Sequence, residues 1–265
     1  MDSTTPVGWS DTTTELYGAG TMDDVRTRVP DRETYLVEWA ALHGGYDPRT
    51  GSGMVRFWLG LTYLLARPLA AAGVAPGAVT AATVVAAAPV IPAAWAGARW
   101  VLVCPVVVIL SGLLDNLDGA VAILRRRVTA WGYLLDSATD RVCDIGYLVA
   151  FWLVGAPGEL VAAAGAAALM LEYLRARAAG AGHGEIGVVT VGERPTRIIL
   201  AAVGLAAAGL LPAHAGAAAS AGAAATLAVC AVGLVQYLLS VHGALTAAAP
   251  DVAGPSAPAP GETGG

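Results

Sequence analysis

The sequence predicts an all-α, polytopic membrane protein with six transmembrane helices preceded by an interfacial amphipathic helix. Three observations predict it. Hydrophobic residues fill 56% of the 265 positions and charged residues 13%, with a mean hydropathy of +0.63, a balance foreign to soluble domains of this size. Apolar runs of helical length recur over residues 78–244, rich in alanine and glycine that permit close helix packing. All fifteen basic residues are arginine, and thirteen fall in segments that six spans would leave on one side of a bilayer.

Residues 1–30 are polar and rich in Thr and Asp. No basic stretch leads into an apolar core, so they read as a disordered tail and not as a signal peptide. Residues 31–76 carry two helices. The first has Asp31 as a cap, Leu36, Val37, Ala40 and Ala41 at helical spacing, and Gly44 and Gly45 as its stop; it is a short surface helix docked on the membrane or on the domain. The second, over 54–66, is closed by Arg67 and Pro68 and is too short to span. With Arg56, Trp58 and Tyr63 it reads as a helix lying in the interface, or else as a buried half-span.

The membrane domain occupies 77–245. Its spans run over 78–98, 100–124, 132–154, 158–178, 196–211 and 215–244. Arg26, Arg28, Arg32, Arg49, Arg56 and Arg67 precede the first span, Arg125 to Arg127 separate the second from the third, and Arg175, Arg177, Arg194 and Arg197 flank the loop between the fourth and fifth. Against them stand Arg99 on the opposite side and Arg141 inside the third span. The positive-inside rule then puts both termini and the 125–131 hairpin in the cytoplasm, with the chain in the cell membrane. Residues 246–265, dominated by Pro, Ala and Gly, form a second disordered tail. Cys104, Cys143 and Cys230 sit in apolar segments without metal-ligand spacing and read as small buried hydrophobes. The formal net charge of −5 lies largely in the tails and the central motif; no nucleic-acid partner is expected.

Residues 115–140, DNLDGAVAILRRRVTAWGYLLDSATD, place four carboxylates inside this apolar sequence. Asp115 and Asp118 are spaced i, i+3 and Asp136 and Asp140 i, i+4, so each pair lies on one face of its helix, and a hairpin brings the faces together. An ionised carboxylate near the bilayer costs about 2.5 kcal/mol or more, so such acids pair, face water or hold cations. With no interleaved lysine the set points to divalent metal, and all-oxygen ligands favour Mg2+ or Mn2+ over zinc.

This stretch resembles the signature of the CDP-alcohol phosphatidyltransferase family, D-x-x-D-G-x-x-A-R-x8-G-x-x-x-D-x-x-x-D. Asp115, Asp118, Gly119, Ala122, Gly132, Asp136 and Asp140 fall in register, and Ile123 stands where the family has arginine. The resemblance implies an integral membrane transferase of phospholipid biosynthesis. It would move a phosphatidyl group from CDP-diacylglycerol or a related CDP-lipid to an alcohol or alcohol phosphate and release CMP. It implies two divalent ions on Asp115, Asp118, Asp136 and Asp140, with Asp140 also taking the acceptor's proton, and a homodimer. Gly119, Ala122 and Gly132 match the nucleotide side; the alternative is helix packing for Gly119, packing or helix entry for Gly132, and small size alone for Ala122. Ile123 cannot hold an anion, but Arg126 and Arg127 lie i+3 and i+4 from it and, on a continuing helix, reach the same face. The alternative for the arginine triplet is topological anchoring.

Two further stretches resemble the family more loosely. GVAPGAVT, residues 73–80, is similar to the motif opening the first span. GERPTR, residues 192–197, is similar to the E-R-x-x-R of members that use phosphorylated inositol-type acceptors. With Arg175 and Arg177, Arg194 and Arg197 would then line an anion pocket for the acceptor, though positive-inside anchoring explains all four equally well. Asp144 extends the Asp136, Asp140 ladder and reads as an ion-pair partner of Arg141 or of an arginine on a neighbouring helix; Glu172 and Glu185 balance arginines. No histidine is assigned to catalysis, and His183 alone lies beside the expected site. Two other functions compete: a catalytically impaired CDP-lipid binding or scaffold protein, suggested by Ile123, and an ion or proton transporter. Retention of every motif aspartate weighs against the first, and confinement of the acids to one end weighs against the second.

Overall fold

In the computed structural model residues 29–42, 47–50, 53–180 and 189–247 are described, and among them every regular element is helical. Most of both expected tails, together with His43, Gly44, Gly45, His183 and Glu185, lies outside the described residues.

Helix α1 (Arg32–Leu42) begins where Asp31 Oδ1 accepts the Thr34 N–H at 2.9 Å. Its Tyr35 and Leu36 are buried against the domain, which decides between the two docking sites expected for it. Helix α2 (Gly53–Ala71) corrects the sequence expectation, because it runs straight through Arg67 and Pro68. Pro68 and Leu64, whose carbonyl loses its helical donor, are both exposed, so the proline ring meets no neighbouring helix. Beyond it Leu69 and Ala70 still pack into the core, and that burial offsets one lost hydrogen bond.

The first expected span is divided into α3 (Pro76–Ala87) and α4 (Val90–Ala96), because Pro89 brings no N–H to continue the ladder after Ala88. A 3-10 turn (Ala98–Leu102) leads into α5 (Val103–Leu124). Helix α6 (Ala130–Val154) starts at a Thr129 cap and ends at Gly155, whose φ of 120° is the left-handed geometry that glycine adopts freely. Then follow α7 (Gly158–Ala178), α8 (Arg194–Leu210), a 3-10 turn (Pro212–His214) and α9 (Ala215–Ala247).

Among the described residues, three stretches qualify as membrane spans by length and composition: Pro76–Ala96, Ala98–Leu124 and Pro212–Ala244. Helices α6, α7 and α8 form close to the expected residues, but α6 carries Asp136, Asp140, Arg141 and Asp144, and α8 is only 17 residues long.

Helix α5 is the hub, packing against α2, α3 and α8. One apolar cluster joins α3 to α9 around Phe151, which is fully buried between Gly204 of α8 and Gly222 of α9. A Cβ at either glycine would come within 2.8 Å of the Phe151 ring. A second cluster joins α1, α2 and α3 to the C-terminal end of α5. Cys104, Cys143 and Cys230 are buried and free, as small hydrophobes.

Candidate metal centre

The acids gather where α5 ends and α6 begins. Carboxylate oxygens of Asp115, Asp136 and Asp140 lie within 4.8 Å of one another, a spacing one hard cation can bridge. Asp118 stands outside that trio. It is 5% exposed and its Oδ2 has no hydrogen-bond partner. Asp115 Oδ1 is likewise buried without a partner. Buried anionic oxygens left unpaired are costly unless a cation meets them. An all-oxygen donor set without His or Cys fits Mg2+ or Mn2+.

The cation that the chain itself brings there is Arg194, the first residue of α8. One terminal guanidinium nitrogen touches both Asp115 and Asp140, at 2.9 Å from the latter, and Nε lies 3.6 Å from Asp144.

Behind Arg194 runs a second layer of charge. Arg197, 4% exposed, donates to the Gly192 carbonyl at 2.7 Å, to Asp144 at 3.1 Å and to Glu172 at 3.0 Å. Arg141 lies 3.5 Å from both Asp144 and Glu172 and 3.8 Å from Asp140. Arg175 donates to both carboxylate oxygens of Glu193 and, at 2.9 Å, to Thr190 Oγ1, while Tyr237 lies 5.8 Å beneath its guanidinium. Glu193 also accepts the Thr190 N–H at 2.7 Å. Burial raises the Glu193 carboxyl pKa, but the Arg175 and Thr190 hydrogen bonds outweigh it and hold the group below the usual glutamate value.

The four arginines expected to line an anion pocket therefore meet different fates. Arg175, Arg194 and Arg197 converge, each engaged by carboxylates, whereas Arg177 is exposed at the end of α7 and stands outside the network. Asp144 and Glu172 balance arginines as expected. Glu193 was legible only as part of the E-R-x-x-R pattern, and Arg141 as a charge inside an apolar helix and one of the partners expected for Asp144, the signal that marks a polar network within a bundle.

The residues expected on the nucleotide side divide as well. A Cβ at Gly119 would meet nothing within 4 Å, so this glycine does not serve helix packing, and open space lies against the backbone beside Asp118. Gly132 is bound into the start of α6: its N–H donates to Thr129 Oγ1 at 3.0 Å, and a Cβ would sit 3.1 Å from that oxygen. Ala122 is half-buried. Ile123 is 5% exposed, a member of the apolar cluster that also holds Tyr35 and Leu36 of α1.

Helix α5 stops at Leu124, so the i+3 and i+4 geometry expected for Arg126 and Arg127 does not hold. Arg126 turns with φ 50° and lies 3.6 Å from Glu38 of α1, and Arg127 is exposed. Arg125, assigned no site role, donates to the carbonyls of Gly73 and Val74, at 2.6 Å from the latter, and ties the α2–α3 loop to the end of α5. The sequence held no sign of Trp58 Nε1 donating to Asn116, between the two α5 aspartates, at 3.3 Å.

Comparison with known proteins agrees with this arrangement. The family described as CDP-alcohol phosphatidyltransferase matches residues 73–244. The chain is 36% identical over 114 residues to an archaetidylinositol phosphate synthase of Aeropyrum pernix, covering 40% of this chain and 58% of the relative. It is 40% identical over 95 residues to the same-named protein of Methanothermobacter thermautotrophicus, covering 36% and 48%. The chain thus spans about half the length of these relatives. Its fold is similar to that of the Mycobacterium tuberculosis phosphatidylinositol phosphate synthase crystallised with manganese and citrate. The TM-score is 0.59 at 25% identity, over 76% of this chain and 96% of that one. The same protein with CDP-DAG bound gives 0.58 at 24% identity, over 68% and 92%. With its aspartates in the family's register and the family's pattern matched over residues 73–244, from α3 through most of α9, the chain belongs to the CDP-alcohol phosphatidyltransferase family.

Proposed function

We propose that this protein is a divalent-metal-dependent membrane transferase that moves a phosphatidyl-type group from a CDP-linked lipid to an inositol phosphate-type alcohol, releasing CMP. The observation that carries the reading is the convergence of Asp115, Asp136 and Asp140 within 4.8 Å, directly against the Arg194–Arg197–Arg175 cluster. Acids suited to metal and arginines suited to an acceptor's phosphate thus stand side by side. The names of the archaeal relatives and of the mycobacterial fold neighbour support both the acceptor class and the CDP-lipid donor.

Two Mg2+ or Mn2+ ions held by Asp115, Asp118, Asp136 and Asp140 would neutralise the donor's diphosphate. Gly119, with open space over its backbone and Ala122 one turn on, would let the nucleotide lie along α5 beside Asp118. Asp140 would accept the proton of the acceptor hydroxyl as its oxygen bonds to the lipid-side phosphorus and the bond from that phosphorus to CMP breaks. Arg175 and Arg194 would face the acceptor's phosphate, and Arg197 would hold the frame from behind.

The six-span reading of the bundle gains support from α6. Trp131 and Trp152, 70% and 54% exposed, sit near its two ends. Their separation along the helix is about 32 Å, close to the thickness of a bilayer's hydrocarbon core and apt for two aromatic belts. Asp136 then lies about 8 Å and Asp140 about 14 Å inward from Trp131. Both acids would then lie inward of the interfacial boundary that Trp131 marks, where carboxylates pair, face water or hold cations. Helix α2, with Phe57 and Leu64 exposed opposite buried Leu59, Thr62 and Ala66, would lie against that boundary. With the arginine-rich end inward the site opens to the cytoplasm, in the cell membrane, and the chain works as a homodimer.

The test is CMP release by the purified protein in CDP-diacylglycerol micelles with Mg2+ or Mn2+. Inositol 1-phosphate, glycerol 3-phosphate, inositol and serine are offered in turn, and Asp140→Asn runs alongside. Release with inositol 1-phosphate, lost in Asp140→Asn, is expected. CDP-lipid binding without release for any acceptor would instead mark a catalytically impaired binding protein.

A further inference from the structure

We infer that Arg194 is the resident counter-cation of the aspartate cluster, a positioning residue that a divalent ion must displace, so that metal binding and the Arg194 contacts exclude each other. This rests on the reading of Asp115, Asp136 and Asp140 as metal ligands.

The contacts are the ground for it. A single guanidinium nitrogen touches Asp115 Oδ2 and Asp140 Oδ1, on two helices, and both carboxylates belong to the trio whose oxygens converge within 4.8 Å. Arg194 thus occupies the seat of a bridging cation. Its side chain is 12% exposed there, so water screens little of the repulsion between a guanidinium and a divalent ion. A divalent ion drawn to the same carboxylates, whose Asp115 Oδ1 is unpartnered, meets the guanidinium's repulsion at close range until Arg194 moves away.

The rest of the side chain is poorly satisfied. Nε, 3.6 Å from Asp144, and the second terminal nitrogen of Arg194 are buried without a hydrogen-bond partner, whereas Arg197, one turn further on, leaves only its Nε unpartnered and donates to three acceptors. Arg194 is therefore the member of the cluster free to leave, and Arg197 the fixed one. Its backbone need not move: Pro195 follows it at the start of α8, and Glu193 before it is pinned by Arg175 and Thr190. A side-chain rotation vacates the aspartates while the loop and helix stay in place. Without metal, Arg194 keeps the acids of α5 and α6 from repelling each other; with metal, its fork is released at the edge of the site.

The experiment is a Mn2+ titration of the full chain in detergent micelles, by calorimetry or by the Mn2+ paramagnetic signal, for wild type, Arg194→Gln and Arg194→Lys. Melting temperatures are recorded in chelator and in saturating Mn2+. Arg194→Gln is expected to bind Mn2+ about five- to a hundredfold more tightly, the usual range for coupling between two ligands, with Arg194→Lys in between. Arg194→Gln should melt below wild type in chelator, and saturating Mn2+ should close the gap. Equal or weaker Mn2+ affinity, with a melting deficit that metal leaves unchanged, would make Arg194 merely structural and overturn the inference. If Arg194→Gln does not fold, an unchanged affinity in Arg194→Lys overturns it. Absence of Mn2+ binding in wild type and variants alike would remove the metal reading itself.

Discussion

Arg197 on α8 donates to Asp144 on α6 across 3.1 Å, and the same guanidinium nitrogen lies 3.0 Å from Glu172 on α7. One buried cation thereby ties three helices together behind the metal centre. Removing one member of such a group strands the others' charges in a medium that solvates them poorly, and that loss exceeds the net contribution of the intact pair.

Arg197→Met is therefore expected to destabilise the protein by about 3–5 kcal/mol. Combining it with Asp144→Leu should restore part of the loss. Thermal unfolding in detergent, read as a double-mutant cycle, checks both; a double variant as unstable as the sum of the single ones would show that the pair is not coupled.

Two glycines should respond oppositely to alanine. At Gly119 the new methyl meets nothing in the protein and alanine favours the helix by about 1 kcal/mol, so the melting temperature should hold or rise while the KM for CDP-lipid increases. At Gly192 a Cβ would lie 2.9 Å from both Leu171 and the Val229 carbonyl, so Gly192→Ala should cost about 1–3 kcal/mol of stability. Unaltered donor affinity in Gly119→Ala would contradict the open-backbone role.

Restoring the family's arginine at position 123 should harm the protein. Ile123 is 5% exposed in the apolar cluster that also holds Tyr35 and Leu36 of α1, and a guanidinium there has to displace part of that cluster or lose its water. Ile123→Arg is expected to melt lower, by about 2–5 kcal/mol of stability, without a gain in CMP release. Higher activity with an unchanged melting temperature would show that α1 yields readily.

Glu193 links the loop before α8 to pH. Its pKa is depressed relative to the ordinary 4.5, because the Arg175 and Thr190 hydrogen bonds outweigh burial, so the carboxylate contributes stability above about pH 4.5 that fades as the pH falls through the lowered value. Wild type should therefore outmelt Glu193→Gln at neutral pH, and the two should converge in acid. A gap independent of pH would assign the difference to packing alone.

The sequence by itself determined the family, the helical class and the identity of the acids. These rest on spacing and composition: seven motif residues in register, and charge set in apolar runs where nothing but function or pairing sustains it. It also foretold Asp144 as an ion-pair partner, because a carboxylate that deep in an apolar helix needs a cation. Periodicity could not tell that Pro68 lies on an exposed face and so leaves α2 intact, or that α5 ends before Arg126 and turns it toward Glu38 instead of the nucleotide side. Nor could it say which arginine meets which carboxylate. Those pairings join helices distant in sequence, Asp115 to Arg194 and Glu172 to Arg197, and only packing brings them within hydrogen-bond range. In a weakly screened bundle interior that proximity decides which charges pair to hold the fold and which carboxylate oxygens stay unpartnered.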